Sequence, residues 1–370
     1  MPPPDPSDPA SLLIDVSPAI GGHGQRGIGR YVRGLAASIA TFPDDLRERI
    51  WAMGSAGNTL DSFGARAIPF PGRRRIGWLP GWAGGRTATA GALRRSGAQV
   101  LHATDPQCPW SPAGVRSIVT VYDLIPLREP GMVQSWRLDH RLGYRRYLRQ
   151  VQSATRILAI SRATVEDLEE RLGIAAERVD IVHPVVAAPS QVQRSEPAEP
   201  TFVFVGALDP HKQPELALNA FALFRARFGH GVLRYIGPSG ETQERRLRAL
   251  AAELGIADSV SMEGRISEDE LEAAYGAATA LLSTSRIEGF GLPPVEAVLR
   301  GVPVIAVESR AARETLEGVA SIVAADAEAL AEAMAHPRKL EASAVEEMRD
   351  RYSAASVGRA LAESYRGMLE

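Results

Sequence analysis

Cysteine and lysine are almost missing from this chain of 370 residues. Cys108 stands alone, which excludes an internal disulfide framework and a zinc site built from cysteines. Lys212 and Lys339 are the only lysines, so nearly all positive charge is arginine. No apolar run approaches the ~18 residues that a membrane-spanning helix requires. The first ten residues, MPPPDPSDPA, have neither the basic nor the apolar stretch of a secretory signal. Residues 1–10 are therefore expected as a disordered tail, and the cytoplasm as the compartment. No segment repeats with a period of 20–50 residues. A pI near 6.4 and the lack of any RNA- or DNA-binding motif argue against nucleic acid as a partner.

What is present is the balance of a soluble globular protein, 45% hydrophobic and 23% charged. The length suits two domains. A net charge of -2 conceals +6 over residues 1–190 and -8 over 191–370. Residues 62–104 carry seven arginines and no acid. Opposite signs in the two halves suit domains with different partners, against ordinary surface drift as the plainer reading.

Short apolar runs alternate with helical patterns along most of the chain. Strands are expected at Ser11–Val16, Val100–Ala103, Ile118–Tyr122, Ile157–Ile160 and Val179–Val182, with helices at Gln134–Val151 and Ala163–Leu172. The pattern stops in a Pro/Ser/Glu-rich stretch and restarts at Phe202–Val205. It then runs through Leu233–Ile236, Val260–Glu263, Ala280–Ser283 and Val302–Val307, with helices between. This predicts two doubly wound α/β domains, which bind ligands beyond the C-terminal ends of their strands.

The most informative segment is STSRIEGFGLPPVEAVLRGVPVIAV, from Ser283 to Val307. A strand ends at Ser283, and a loop with Glu288, Gly289, Phe290 and Gly291 leads into a helix opened by Pro293 and Pro294. Glu296 is expected in its first turn. Glycines allow close backbone approach to a ligand, and helix-start amides favour a phosphate. Ionised glutamates suit sugar hydroxyls, although carboxylates near a helix start also serve as plain caps.

Two glutamates separated by seven residues, in EGFGLPPVE followed by GVPVIA, resemble the signature of the retaining glycosyltransferases of family 4. GIGRYVRGL, HATD, TVYDLIPL, ILAISRATVEDLEERLGI and VGALDPHKQPELALNAF resemble further segments of that family, so the likeness runs over about residues 11–369. The resemblance implies the GT-B fold, two Rossmann-like domains facing across a cleft. It implies an acceptor-side domain at 11–187, a linker at 188–200, a nucleotide-sugar domain at 201–347 and a helix at 348–370 returning to the first domain. Glu288 is implied on the transferred sugar and Glu296 on the ribose. Gly289, Phe290, Gly291 and Leu292 would offer amides to the sugar and diphosphate, and Lys212 its ammonium. Gly206 ends the diphosphate-binding strand, and Gly27 and Gly29 form the first loop. Asp123 joins Glu288 at the reacting centre, while His102, Asp105 and Arg30 are acceptor-side candidates.

Three positions depart from the family pattern. Ala207 stands where members often have arginine, and His211 where many have one before the lysine; Arg265 or Arg286 could supply the missing charge. Tyr122 replaces a histidine that faces the donor sugar. Its ring suits the methyl group of a 6-deoxyhexose, while its hydroxyl suits O6 of mannose, the reading favoured because TVYDLIPL otherwise resembles the mannosyl branch. The resemblance implies a hexose donor, with GDP as the favoured carrier, no cofactor and no metal. The acceptor is a glycan or lipid-linked glycan, as in polysaccharide biosynthesis. Arg73–Arg75 beside Trp78 and Trp82 suit anionic lipid headgroups. The basic stretch Trp136–Gln150 reads as a helix with a solvated face and buried aromatics. A nucleotide-sugar epimerase, a phosphorylase and a non-catalytic sugar-nucleotide sensor are the competing readings.

Overall fold

The computed structural model describes residues 11–19, 27–54, 66–69, 81–104, 112, 114–187, 194, 195 and 197–370. Expectations for the N-terminal tail, Asp105, Arg73–Arg75 and Trp78 lie outside these residues. So do residues 188–193 and 196 of the linker and residues 20–26 ahead of Gly27. Trp82 falls in helix Gly81–Ser96.

The chain divides into two compact units: residues up to Val185 with Tyr352–Glu370, and Val186–Arg351. In the first, β1 (Leu12–Asp15), β2 (Ile50–Gly54), β3 (Arg66–Pro69), β4 (Val100–Ala103), β5 (Arg116–Val121), β6 (Arg156–Ala159) and β7 (Val179–Ile181) form one parallel sheet. Its order is β3-β2-β1-β4-β5-β6-β7. Leu12 pairs with Ile50 on one side and Val100 on the other, so the order reverses between β1 and β4. Such a reversal opens a crevice at the strand ends.

The second unit repeats the plan with β8 (Thr201–Val205), β9 (Val232–Ile236), β10 (Val260–Gly264), β11 (Ala280–Ser283), β12 (Val304–Val307) and β13 (Ser321–Val323). Its order is β10-β9-β8-β11-β12-β13, with the reversal between β8 and β11. Central strands covered on both faces read as unbroken apolar runs, and LLID, VLHA and VIAV are buried at every position. Phe202, Phe204, Phe221, Phe224, Leu233 and Tyr235 fill one face of the second unit, closed by helices Pro214–Phe228 and Ala327–Ala335.

Two helices differ from the sequence pattern. The stretch expected as Gln134–Val151 is broken at Trp136, whose backbone is extended, giving Pro130–Ser135 and Leu138–Ser153. The C-terminal pattern also divides, into Ala342–Arg351 and Ala354–Leu369, because Ser353 turns out of the helix to cap the second by accepting from Ser356 N. In the first unit helix Ala354–Leu369 packs on helix Gly27–Ile39, burying Val357, Leu361 and Tyr365. Among the described residues no helix is long and apolar enough to cross a membrane.

Candidate active site

The loops leaving β8 and β11 meet at the second unit's switch point. After Gly206, residues Pro210–Lys212 make a single 3-10 turn that carries Lys212 back over the strand end. Gly206 has φ +138°, and a Cβ there would lie 3.6 Å from Lys212 Nζ. The neighbouring strand ends are glycine too. Gly237 N donates to Gly264 O at 2.7 Å, and a Cβ on Gly237 would come within 2.1 Å of Gly206 O. Glycine is thus required where these backbones touch.

Lys212 Nζ donates to Glu288 Oε1 at 2.6 Å, and Ser285 Oγ donates to the same oxygen at 2.8 Å. Glu288 Oε2 has no hydrogen-bond partner among the described residues, and 19% of the side chain is exposed. Burial pushes the Glu288 carboxyl up, but the Lys212 charge and the two donors outweigh it and hold the group below its ordinary value. The carboxylate is therefore ionised at neutral pH.

Thr284 fixes the loops to each other. Its Oγ1, fully buried, lies 2.7 Å from the Lys212 carbonyl oxygen and 3.0 Å from that of Gln213. Arg286 N donates to His211 O at 3.0 Å. Gln213 has φ +48°, the one non-glycine residue with positive φ among the described residues. Held strain of this kind gathers where a structure over-determines a functional loop.

Helix Leu292–Leu299 begins behind Gly291, whose φ is +86°. It starts one residue before Pro293, so Glu296 sits fifth and past the first turn. Glu296 is 2% exposed, and Tyr275 Oη donates to its Oε2 at 3.3 Å. Arg300 donates to the Glu296 carbonyl at 3.1 Å and grips Glu272 through Nε at 2.8 Å. Phe290 is buried, Leu292 half-buried and Arg265 exposed at the end of β10, two strands from β8.

The first unit treats its candidates differently. His102 is wholly buried: Nδ1 lies 2.7 Å from Tyr365 Oη and Nε2 lies 2.8 Å from Thr120 Oγ1. With both ring nitrogens engaged, it is a core histidine joining β4, β5 and the last helix rather than an acceptor-side group. Burial pushes its pKa down to about 3. Tyr122 is also buried, donates to Thr104 O at 2.8 Å and meets Tyr31 edge-on at 5.3 Å. That hydroxyl proton is committed to the backbone, and the ring offers no open face to a sugar. Asp123 is half-buried and accepts from Ile125 N at 3.1 Å. Gly27 and Arg30 are exposed and Gly29 buried at the start of helix Gly27–Ile39.

Ser285 and Thr284 escaped the sequence reading. Their one signal is a run of hydroxyl residues, STS, at the strand end.

Residues 188–356 match the family model described as Glycosyl transferases group 1, and residues 26–188 match Glycosyltransferase Family 4. Sucrose-phosphate synthase from Thermosynechococcus elongatus superimposes with a TM-score of 0.70 at 18% identity, covering 97% of this chain and 99% of that one. The fold is GT-B. A second GT-B structure, Anabaena HepE in complex with UDP and glucose, aligns at TM-score 0.61 and 17% identity over 96% of this chain and 95% of its own. Among sequence relatives, the D-inositol 3-phosphate glycosyltransferase of Acidothermus cellulolyticus is 34% identical over 173 residues, 42% of this chain and 39% of that protein. The Thermobispora bispora protein of the same name is 32% identical over 246 residues, 60% and 58% of the two chains. This GT-B chain thus spans about two fifths to three fifths of the curated relatives it matches.

Proposed function

We propose that the chain is a retaining glycosyltransferase that moves a hexose from a nucleotide-diphospho-sugar to a hydroxyl of a glycan or lipid-linked glycan. The observation that carries this reading is the Lys212–Glu288 pair at the β8/β11 switch point. An ammonium has three donors, and Glu288 engages one; the others suit diphosphate oxygens. Glu288 Oε2 suits a sugar hydroxyl. Amides at the start of helix Leu292–Leu299 add positive potential near the departing phosphate.

In the proposed step the bond from the anomeric carbon to the β-phosphate oxygen breaks, and a bond to the acceptor oxygen forms on the same face. The acceptor proton passes to the departing phosphate, so no side chain is asked to act as base. Lys212 stabilises the charge that develops on the leaving group, and metal independence is part of the proposal. A lipid-linked acceptor would place the protein at the inner face of the membrane. The HepE complex with UDP and the relatives' acceptor, inositol phosphate, define two arms of the test.

The purified chain is incubated with UDP-, GDP- and dTDP-hexoses, with and without EDTA, against glycan and inositol phosphate acceptors. Hydrolysis and transfer are scored separately. Transfer with unchanged anomeric configuration, insensitive to EDTA, is expected. An epimerised donor, or binding without turnover, contradicts the reading.

A further inference from the structure

Helix Leu138–Ser153 of the first unit presents an unusual outer surface. Leu138 is 70% exposed and Leu142 45%, the two largest exposures of big hydrophobic side chains among the described residues. Tyr147 and Val151 are buried beneath the same helix. At ~100° per residue, Leu138, Leu142, Arg145 and Arg149 fall within about 60° of arc, on the pole opposite that buried pair. Arg141 and Arg146 flank the stripe. From Arg137 to Ser153 there are five arginines and one acid, Asp139, which lies 3.6 Å from Arg137. Arg141, Arg145 and Arg149 have no acidic partner among the described residues. Just before the helix, Trp136 is half-exposed and packs edge-on against Tyr144 at 5.5 Å.

Each competing use of this face fails on one of these facts. A helix that merely faces water has no reason to spend two leucines on its outermost pole. A second copy would bring five arginines against five. Nucleic acid offers phosphates but no apolar phase for the leucines. An anionic bilayer surface supplies both: acyl chains at the headgroup boundary take leucine, headgroup phosphates take arginine, and a tryptophan at the margin suits the interface. We propose that this face docks the first unit onto an anionic lipid surface, with the helix lying in the interfacial plane over its 16 residues. The inference rests on the helix alone and stands or falls apart from the donor-site reading.

The test is sedimentation of the full chain with phosphatidylglycerol-containing vesicles and with neutral phosphatidylcholine vesicles, at low and high salt. Binding to the anionic vesicles that weakens with salt is expected. Arg145→Gln with Arg149→Gln lowers the partition coefficient about thirtyfold, since each arginine contributes roughly fivefold near such a surface. Leu138→Ser with Leu142→Ser lowers it at least about tenfold. Both pairs are exposed, so thermal melting should match the parent, and the charge variant keeps the test valid if the leucine variant misfolds. Equal binding to neutral and anionic vesicles overturns the proposal. So does parental binding by both variants, or a concentration-dependent dimer that the leucine pair abolishes.

Discussion

Lys212 and Glu288 stand 76 residues apart in the chain and 2.6 Å apart in space, joined where the strand order of the second unit reverses. Ser285, in the same loop as Glu288, donates to the same carboxylate oxygen, but the ion pair itself joins two different loops. The 3-10 turn after β8 delivers the ammonium, and the loop after β11 delivers the carboxylate. Thr284 locks the two backbones together beneath them.

Thr284→Val keeps the side-chain shape and removes the hydroxyl, leaving the Lys212 and Gln213 carbonyls one donor short. The expected cost is about 1–2 kcal/mol of stability. The stronger expectation is kinetic: kcat for sugar transfer falls about tenfold while KM for acceptor is unchanged, and Thr284→Ser restores it. A valine variant with parental kcat would remove Thr284 from the positioning role.

His102 gives the protein an acid-sensitive core. Its folded pKa is near 3, against an ordinary value of 6.5. The unfolded chain therefore binds a proton below pH 6.5 that the folded chain refuses. Stability is full above that value and falls as pH drops toward 3, by up to about 1.4 kcal/mol per pH unit from this group alone. Urea midpoints from pH 7 to pH 4 measure the slope. His102→Asn, which cannot titrate, is expected to be less stable at pH 7 and flatter with pH. An equal slope in both proteins would show that His102 is not the group responsible.

Gly358 lets the last helix approach helix Gly27–Ile39. A Cβ there would lie 2.5 Å from Thr41 Oγ1 and 3.1 Å from the Ser38 carbonyl oxygen. Gly358→Ala is expected to destabilise the first unit by about 1–3 kcal/mol through overpacking. Gly367 is the control: nothing lies within 4 Å of its added Cβ, and alanine there is expected to be neutral or stabilising. Both effects are read as shifts in the urea midpoint and in protease sensitivity near the C-terminus. Loss of stability in Gly367→Ala but not Gly358→Ala would contradict this packing.

The paired Rossmann-like layout was legible because buried parallel strands leave contiguous apolar runs, and β4 and β11 sit where those runs do. Ser321–Val323 left no such trace, being three half-buried residues at a sheet edge. EGFGLPPVE was legible locally, since glycine at positive φ and proline at a helix start constrain backbone directly. The contacts made by that backbone were not. Glu296 reads as an acid in the opening turn of a helix, yet it lies past that turn and accepts from Tyr275, 21 residues upstream. His102 reads as a strand-end ligand, yet its partner Tyr365 is 263 residues away on the last helix. Tyr122 is similar: its hydroxyl is taken by the carbonyl of Thr104, 18 residues earlier, through pairing that only the assembled sheet creates. Side chains whose role is set by residues brought together from distant segments carry no local signal of it.

Titration of the purified chain with UDP, GDP and dTDP, followed by transfer assays on Lys212→Ala and Glu288→Ala, tests the donor site most directly. The predicted result is that the parent binds at least one of the three. Lys212→Ala should weaken that binding by about tenfold or more through loss of a charged hydrogen bond. Glu288→Ala should keep most of the nucleotide affinity and lose transfer. Nucleotide binding that is absent in the parent, or indifferent to Lys212, would contradict the assignment of the β8/β11 switch point as the nucleotide-sugar site.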